Sequence, residues 1–310
     1  FVLSKILKAG EFGSWSSVKM MLLQSVPNAI VAWGMVGNMM SGRWDFSIGN
    51  MIVLSCLAGA PLARIIGIGP AGAILSCAAV GALLGMLNGI VYLKVKIPML
   101  LISIGMMKIY ECAGYLINGG EPARLSGKLA LFGRSPYIFY IGIIMFLFFH
   151  YMYTHTAFGK EYYALRDGQG IAVSLGVDES TNAFICFLIC GICAGVAGCL
   201  YLSISGAMKS SPLYNNSMGM MFNAFAPVFI GRYLSKYTNI SIGIFIGSFT
   251  MKMLMSGVIA VGMPSAMQNV GNGIFLIIFM AFSVNQERII EWNERRRMRA
   301  QISKGRQLEA

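Results

Sequence analysis

Apolar runs of membrane length repeat along this chain, and one long polar island interrupts them. A helix that spans a bilayer needs roughly 20 mostly apolar residues. Nine stretches qualify or nearly do: about 18–41, 46–66, 70–93, 97–118, 136–154, 182–205, 217–231, 239–261 and 264–284. The seventh is short and is interrupted by Pro227. Pro27, Pro61, Pro98 and Pro264 also fall inside spans or at their ends. Broken or re-entrant helices are expected there, with the freed backbone groups facing protein or a water-filled path. The pattern predicts an all-α, polytopic membrane helix bundle over residues 1–286 with a basic tail over 287–310.

Charge sets the expected orientation. The tail carries Arg288, Arg295, Arg296, Arg297, Arg299, Lys304 and Arg306, which places it in the cytoplasm. Alternating the spans backwards from it puts 14 Lys and Arg residues on the cytoplasmic side and 8 outside. The polar island, 155–181, becomes cytoplasmic. Nine spans would leave Phe1 outside, so a tenth span preceding this sequence is expected. Phe1–Gly10 contains Lys5 and Lys8 without a long apolar core, so it does not read as a cleavable signal peptide.

Composition agrees with the pattern. The 310 residues are 56% hydrophobic and 12% charged, with a mean hydropathy of +0.68. A soluble domain carries about a quarter charged residues. The net charge of +12 does not imply nucleic acid, because the surplus lies at membrane edges and in the tail. The seven cysteines (56, 77, 112, 186, 190, 193, 199) all lie in apolar runs. Cys190 and Cys193 have no second pair and no nearby histidine, so they read as small buried hydrophobes. His150 and His155 share no helix face and no carboxylate cluster, which gives no basis for a metal site or for catalysis.

Several motifs shape the bundle. Gly81-x-x-x-Gly85-x-x-x-Gly89, Gly191-x-x-x-Gly195 and Gly243-x-x-x-Gly247 predict close helix packing. Gly67-Ile-Gly69-Pro-Ala-Gly72 has dinucleotide-motif spacing, but Pro70 removes an N–H and no acidic residue follows about 20 residues on. It reads as a loop. Asp45 and Ser47 read as caps for the second span. No phosphate-binding loop of the G-x-x-x-x-G-K-[ST] type occurs, so energy from ATP would have to come from another polypeptide.

Polar positions inside spans mark a candidate solute path. Gln24, Asn28, Met35 and Asn38 follow one side of the first span, and Gln268 and Asn272, followed by Phe275, align on the ninth. Asn50, Asn88 and Asn223 add further amides. Amides and aromatics without fixed charge suit a neutral, hydroxyl-rich solute, although interhelical hydrogen bonds account for such residues equally well. Three charges lie well inside spans, away from their ends: Lys108, Glu111 and Lys252. Lys108 and Glu111, three residues apart, are expected to pair on one helical face.

In the island, Lys160–Asp167 and Gly170–Leu175 predict two short helices joined at Gly168. Tyr162, Leu165, Ile171 and Leu175 supply apolar anchors among charges, as a docking surface would.

The island resembles the cytoplasmic loop of ABC importer permeases of the ribose/galactose and branched-chain amino acid class. The matching positions are Gly159, Ala164-Leu165-Arg166-Asp167, Ala172 and Gly176-Val177. Asp45-Phe-Ser-Ile-Gly49, then Asn88-Gly89, Ile97-Pro98 and Ser103-Ile-Gly105, and later Ala194-Gly195 with Gly198, resemble further motifs of that class. The resemblance runs over nearly the whole chain. It implies about ten spans with a cytoplasmic N-terminus, two paired permeases, two ATPase domains docked on the loops, and an extracytoplasmic solute-binding protein. It makes Gly159, Glu161, Tyr162, Ala164, Leu165, Arg166, Gly168, Ile171 and Gly176 the expected coupling residues. ATP and magnesium would belong to the partner ATPase, with no cofactor in this chain. The glycine-rich run that sugar permeases of this class carry is absent from 224–237, which leaves open an identical or a paralogous second permease.

The expectation is therefore the permease subunit of a bacterial inner-membrane importer for a monosaccharide or a related small polar solute, performing no covalent chemistry. A secondary transporter would instead need an ionisable relay, for which only Lys108, Glu111 and Lys252 qualify. Nucleoside and branched-chain amino acid permeases are the neighbouring alternatives.

Overall fold

The computed structural model describes residues 13–125, 127–211 and 216–260, together with positions 270, 271, 273, 274, 277, 278 and 281. The described residues form nine α-helices in order: α1 (Trp15–Met40), α2 (Ile48–Ile66), α3 (Pro70–Val95), α4 (Met99–Ile117), α5 (Tyr137–His155), α6 (Ala157–Ser174), α7 (Glu179–Ser205), α8 (Asn216–Leu234) and α9 (Ile240–Ala260). One two-residue antiparallel ribbon pairs β1 (Ala123–Arg124) with β2 (Ala207–Met208). The fold is thus nearly all-α, as the periodicity predicts.

Seven of these helices (α1–α5, α7 and α9) are long and apolar enough to cross a membrane. Helix α8 forms over its expected stretch but is not among the seven, because Asn223 and the polar positions at its ends dilute its apolar character. The ninth expected span, 264–284, lies outside the described residues except at scattered positions, as does the tail. The expected breaks at prolines do not occur in α1, α2 or α8, which run through Pro27, Pro61 and Pro227. Packed neighbours let a helix tolerate one missing N–H. Pro98 serves instead as the N-terminal boundary of α4, a position that needs no donor.

Helix α1 is the axis of the bundle. From Ser25 to Met40 every residue is buried. Trp33 lies at its centre among Phe146, Phe149 and Phe245, and its indole N–H donates to the Ser241 carbonyl at 2.9 Å. The Tyr153 hydroxyl donates to the Trp33 carbonyl, also at 2.9 Å. These bonds tie α5 and α9 to the axis.

The closest packing joins α3 to α7. A Cβ placed on Gly81 would lie 2.2 Å from the Gly191 carbonyl oxygen, and one on Gly195 would lie 2.1 Å from that of Cys77. Backbone thus rests on backbone, and dispersion contacts accumulate that lipid cannot replace. Two of the glycine motifs face each other here. The third, Gly243 and Gly247 of α9, packs on Gly231 and Pro227 of α8.

The ribbon brings the α4–α5 and α7–α8 connections together at one end of the bundle, and the Arg64 guanidinium at the end of α2 donates to the Arg124 carbonyl there. Helix α6 and the 41–47 connection lie at the opposite end, where Arg43 meets the start of α7. This alternation agrees with the one that the charge distribution predicts.

The α3–α7 contact predicts a sharp dependence on side-chain size. Gly191→Ala, whose methyl would lie 2.2 Å from the Gly81 carbonyl oxygen, is expected to cost about 1–3 kcal/mol. Gly105→Ala, where the space is open, should be neutral. Melting temperatures in detergent check this, and equal values for the two variants would contradict the close approach.

Candidate functional site

Helix α6 carries Lys160, Glu161, Arg166 and Asp167, more charge than any other helix among the described residues, and it is kinked. Thr156 caps its start by accepting the Gly159 N–H at 3.3 Å. Gly159 is required by proximity, since a Cβ there would lie 2.3 Å from the Tyr153 carbonyl oxygen of α5. The backbone leaves helical geometry at Gly168, where φ is 175° and ψ is 94°. The two short helices expected around Gly168 are therefore present. Extended φ of this kind suits any residue except proline, whose ring fixes φ near −65°.

The two halves of α6 play different parts. In the first half Tyr162 and Leu165 are buried, with Tyr162 packed on Tyr153 at a ring separation of 5.1 Å. Burial raises the Tyr162 phenol above its ordinary pKa. These two residues anchor α6 to the bundle and do not form the exposed docking surface the sequence suggests for them. Arg166 is half-buried, lies 4.9 Å from the Tyr163 ring centre, and pairs with its neighbour Asp167 at 2.6 Å. Ala164 is half-buried as well. In the second half Ala172 is buried, and the larger apolar side chains are exposed: Ile171 70%, Val173 45% and Leu175 80%. The helix ends at Ser174, and Gly176 just beyond it has φ of +95°, a conformation costly for other residues. Asp178 next caps α7, accepting from the N–H groups of Ser180 and Thr181.

A polar network underlies α6. The Asn182 side-chain amide of α7 donates to Glu161 Oε2 at 3.0 Å, and the Gln169 amide donates to Glu179 Oε1 at 2.5 Å. Both partners on α7 approach Arg43, which is 2% exposed. Arg43 Nη2 donates to Asn182 Oδ1 at 3.1 Å, Nε donates to Asn38 Oδ1 at 3.4 Å, and Nη1 stands 3.9 Å from Glu179 Oε1. A cleft of about 580 Å³ opens beside them, lined by Arg43, Lys96, Gln169 and Glu179 among others. In the sequence Arg43 counts only as a charge for topology. Its one signal there is a lone cation in the short connection between two apolar spans.

Two further networks lie deeper. Asp45 accepts from the Ser47 N–H at 2.9 Å, the Ser47 hydroxyl at 2.6 Å and the Asn88 amide at 3.0 Å. Burial nevertheless pushes the Asp45 carboxyl above its ordinary pKa. Tyr110 donates to Asn88 Oδ1 at 2.7 Å. Asp45 and Asn88, from two separate sequence motifs, are thus direct partners. On the next residue of α4, the buried Glu111 carboxylate accepts from Asn50, the Ser210 hydroxyl, the Ser211 N–H and the Ser217 hydroxyl. Lys108 is exposed and Glu111 is buried, and among the described residues neutral donors hold the carboxylate. Lys252 is half-buried on α9.

The path candidates divide accordingly. Asn28 accepts from the Tyr201 hydroxyl, and Asn38, Asn50 and Asn88 are engaged as above, so all four join one helix to another or to a connection. Gln24 lines a cleft of about 280 Å³ between α1 and α9, and Asn223 is half-buried on α8. Gln268, Asn272 and Phe275 lie outside the described residues.

Comparison with known proteins follows the same lines. Residues 17–281 match the family described as branched-chain amino acid transport system / permease component. The "Autoinducer 2 import system permease protein LsrC" of Yersinia pseudotuberculosis serotype O:1b (strain IP 31758) is 25% identical over 297 residues, covering 93% of this chain and 81% of its own. The protein of the same name from Yersinia pestis (strain Pestoides F) aligns with the same identity and coverage. No solved structure matches the chain significantly.

The contact at Gly159 generates a test. Gly159→Ala should lift α6 from the end of α5 and expose Tyr162. Amide hydrogen exchange over 157–174 is expected to speed up severalfold, with the other helices unchanged, and unaltered exchange would contradict the geometry.

Proposed function

The chain belongs to the branched-chain amino acid transport system / permease component family of ABC importer membrane subunits, and we propose that it carries a monosaccharide or a related small polar solute into a bacterial cell. It is a multi-pass inner-membrane protein and the pore subunit of its importer. The proposal assigns ATP and its magnesium ion to a separate ATPase subunit. That ATPase would dock on α6, an extracytoplasmic binding protein would deliver solute at the ribbon end, and a second permease, identical or paralogous, would complete the path. The names of the aligned relatives assign them autoinducer 2, which makes that solute one candidate for this chain.

The observation that carries the ATPase reading is the outer edge of α6. Ile171, Val173 and Leu175 are exposed apolar side chains on a polar helix at one end of the bundle. The protein's own core does not cover them, and an apolar edge set among polar groups suits a partner's groove. Tyr162 and Gly159 fix the first half to α5, so a push on the second half moves an anchored lever. ATP binding on the partner would shift α6, and the helices packed beneath it would alternate access between the two sides.

Two variants test this reading in membrane vesicles holding the complete importer. Ile171→Glu should abolish copurification of the ATPase, and Gly168→Pro should lower ATP-driven uptake by about tenfold or more while the chain still inserts. Normal uptake in both would remove the docking assignment. Identifying the partner binding protein and measuring which solutes it retains tests the substrate class separately.

A further inference from the structure

Arg43 is a buried cation with one donor left over. A guanidinium removed from water needs partners for all its donors, because a buried charge left without them is costly. Arg43 meets that need only in part. Nε donates to Asn38 and Nη2 to Asn182 and to Cys186 Sγ, but Nη1 has no hydrogen-bond partner among the described residues and stops 3.9 Å from Glu179 Oε1. That same carboxylate oxygen accepts from the Gln169 amide at 2.5 Å, which holds it on the α6 side. Glu179 therefore lies between two competing donors, one on α6 and one on the connection between α1 and α2.

The arrangement around Gly168 gives the competition a direction. Glu161, before the kink, is held by Asn182, and Gln169, just after it, holds Glu179. Each half of α6 is thus linked to the first turn of α7, and both links end on Arg43. Beyond Arg43, the backbone leads in two residues to Asp45, whose carboxylate accepts from Asn88 of α3, and Asn88 in turn accepts from Tyr110 of α4. The cleft lined by Arg43, Gln169 and Glu179 leaves room for these side chains to move.

We propose that Glu179 exchanges partners during transport, from Gln169 in the state seen here to Arg43 when α6 is displaced, and that Arg43 thereby positions the α1–α2 connection in response to the ATPase. The inference rests on the reading of α6 as the docking element. Displacing the outer half of α6 withdraws Gln169, and the freed carboxylate closes the 3.9 Å gap to Nη1. The connection at 41–47, and Asp45 with it, is drawn toward α7. The start of α2, with Asn88 of α3 and Tyr110 of α4, receives the movement as a shift in one hydrogen-bonded cluster. Two discrete partners for one carboxylate supply the bistable element that such a relay needs.

The test uses the complete importer in proteoliposomes and reads solute transported per ATP hydrolysed. Glu179→Gln keeps the acceptor for Gln169 and removes the charge that attracts Arg43. It is expected to lower the ratio by about two- to thirtyfold, the range for changes that alter coupling, with ATPase copurification unchanged. Gln169→Ala, at an exposed position, removes the competitor and should raise ATP hydrolysis in the absence of solute. Arg43→Lys, which keeps the charge but loses the forked geometry, should resemble Glu179→Gln. An unchanged ratio in Glu179→Gln together with unchanged basal hydrolysis in Gln169→Ala would overturn the exchange, and leave Arg43 a static support. Failure of any ATPase to copurify with the unaltered chain would instead remove the docking reading on which the exchange depends.

Discussion

Gly81, Gly85, Gly191 and Gly195 bring two helix backbones to a separation that a methyl group would prevent. In lipid, apolar side chains gain little by meeting one another, so close backbone packing is what makes one helix pair firmer than the rest. That firmness matters because α7 carries a working group at each end. Its first turn presents Glu179 and Asn182 to α6 and Arg43, and its last turn leads into the strand that pairs with Ala123–Arg124. A loosely held α7 would absorb a push on α6 as local rearrangement. Held against α3 by backbone, it passes the push on.

Much of this was legible in the sequence because membrane helices obey a narrow set of rules. Length and apolarity located eight stretches that the structure shows as helices, and glycine spacing located the close contacts at 81–89, 191–195 and 243–247. The turn at Gly168 followed from its neighbours. Prolines misled, since α1 and α2 continue through Pro27 and Pro61. Which side chain faces inward was the least legible property. Tyr162 and Leu165 read as surface residues in a polar island, yet both are buried, because the first half of α6 lies against the bundle at Tyr153 and Gly159.

Partners of the polar residues were illegible for a related reason. Asn88 and Asp45 lie 43 positions apart, and Glu111 gathers its donors from Asn50, Ser210, Ser211 and Ser217, which periodicity along one helix cannot reveal. Lys108 and Glu111 looked like a pair because they are three residues apart, but the carboxylate turns inward to hydroxyls and an amide on other elements. Arg43 was missed as a site altogether. A single arginine beside a membrane edge is ordinary by composition, and only the fold shows that it is enclosed by α1 and α7.

The central claim is that the outward edge of α6 meets a soluble ATPase. Site-specific photocrosslinking in the intact importer tests it most directly. A photoreactive residue at Leu175 should crosslink to the ATPase in high yield, and one at Gly105, in open space on α4, should not. Crosslinks from Gly105 with none from Leu175 would contradict the account.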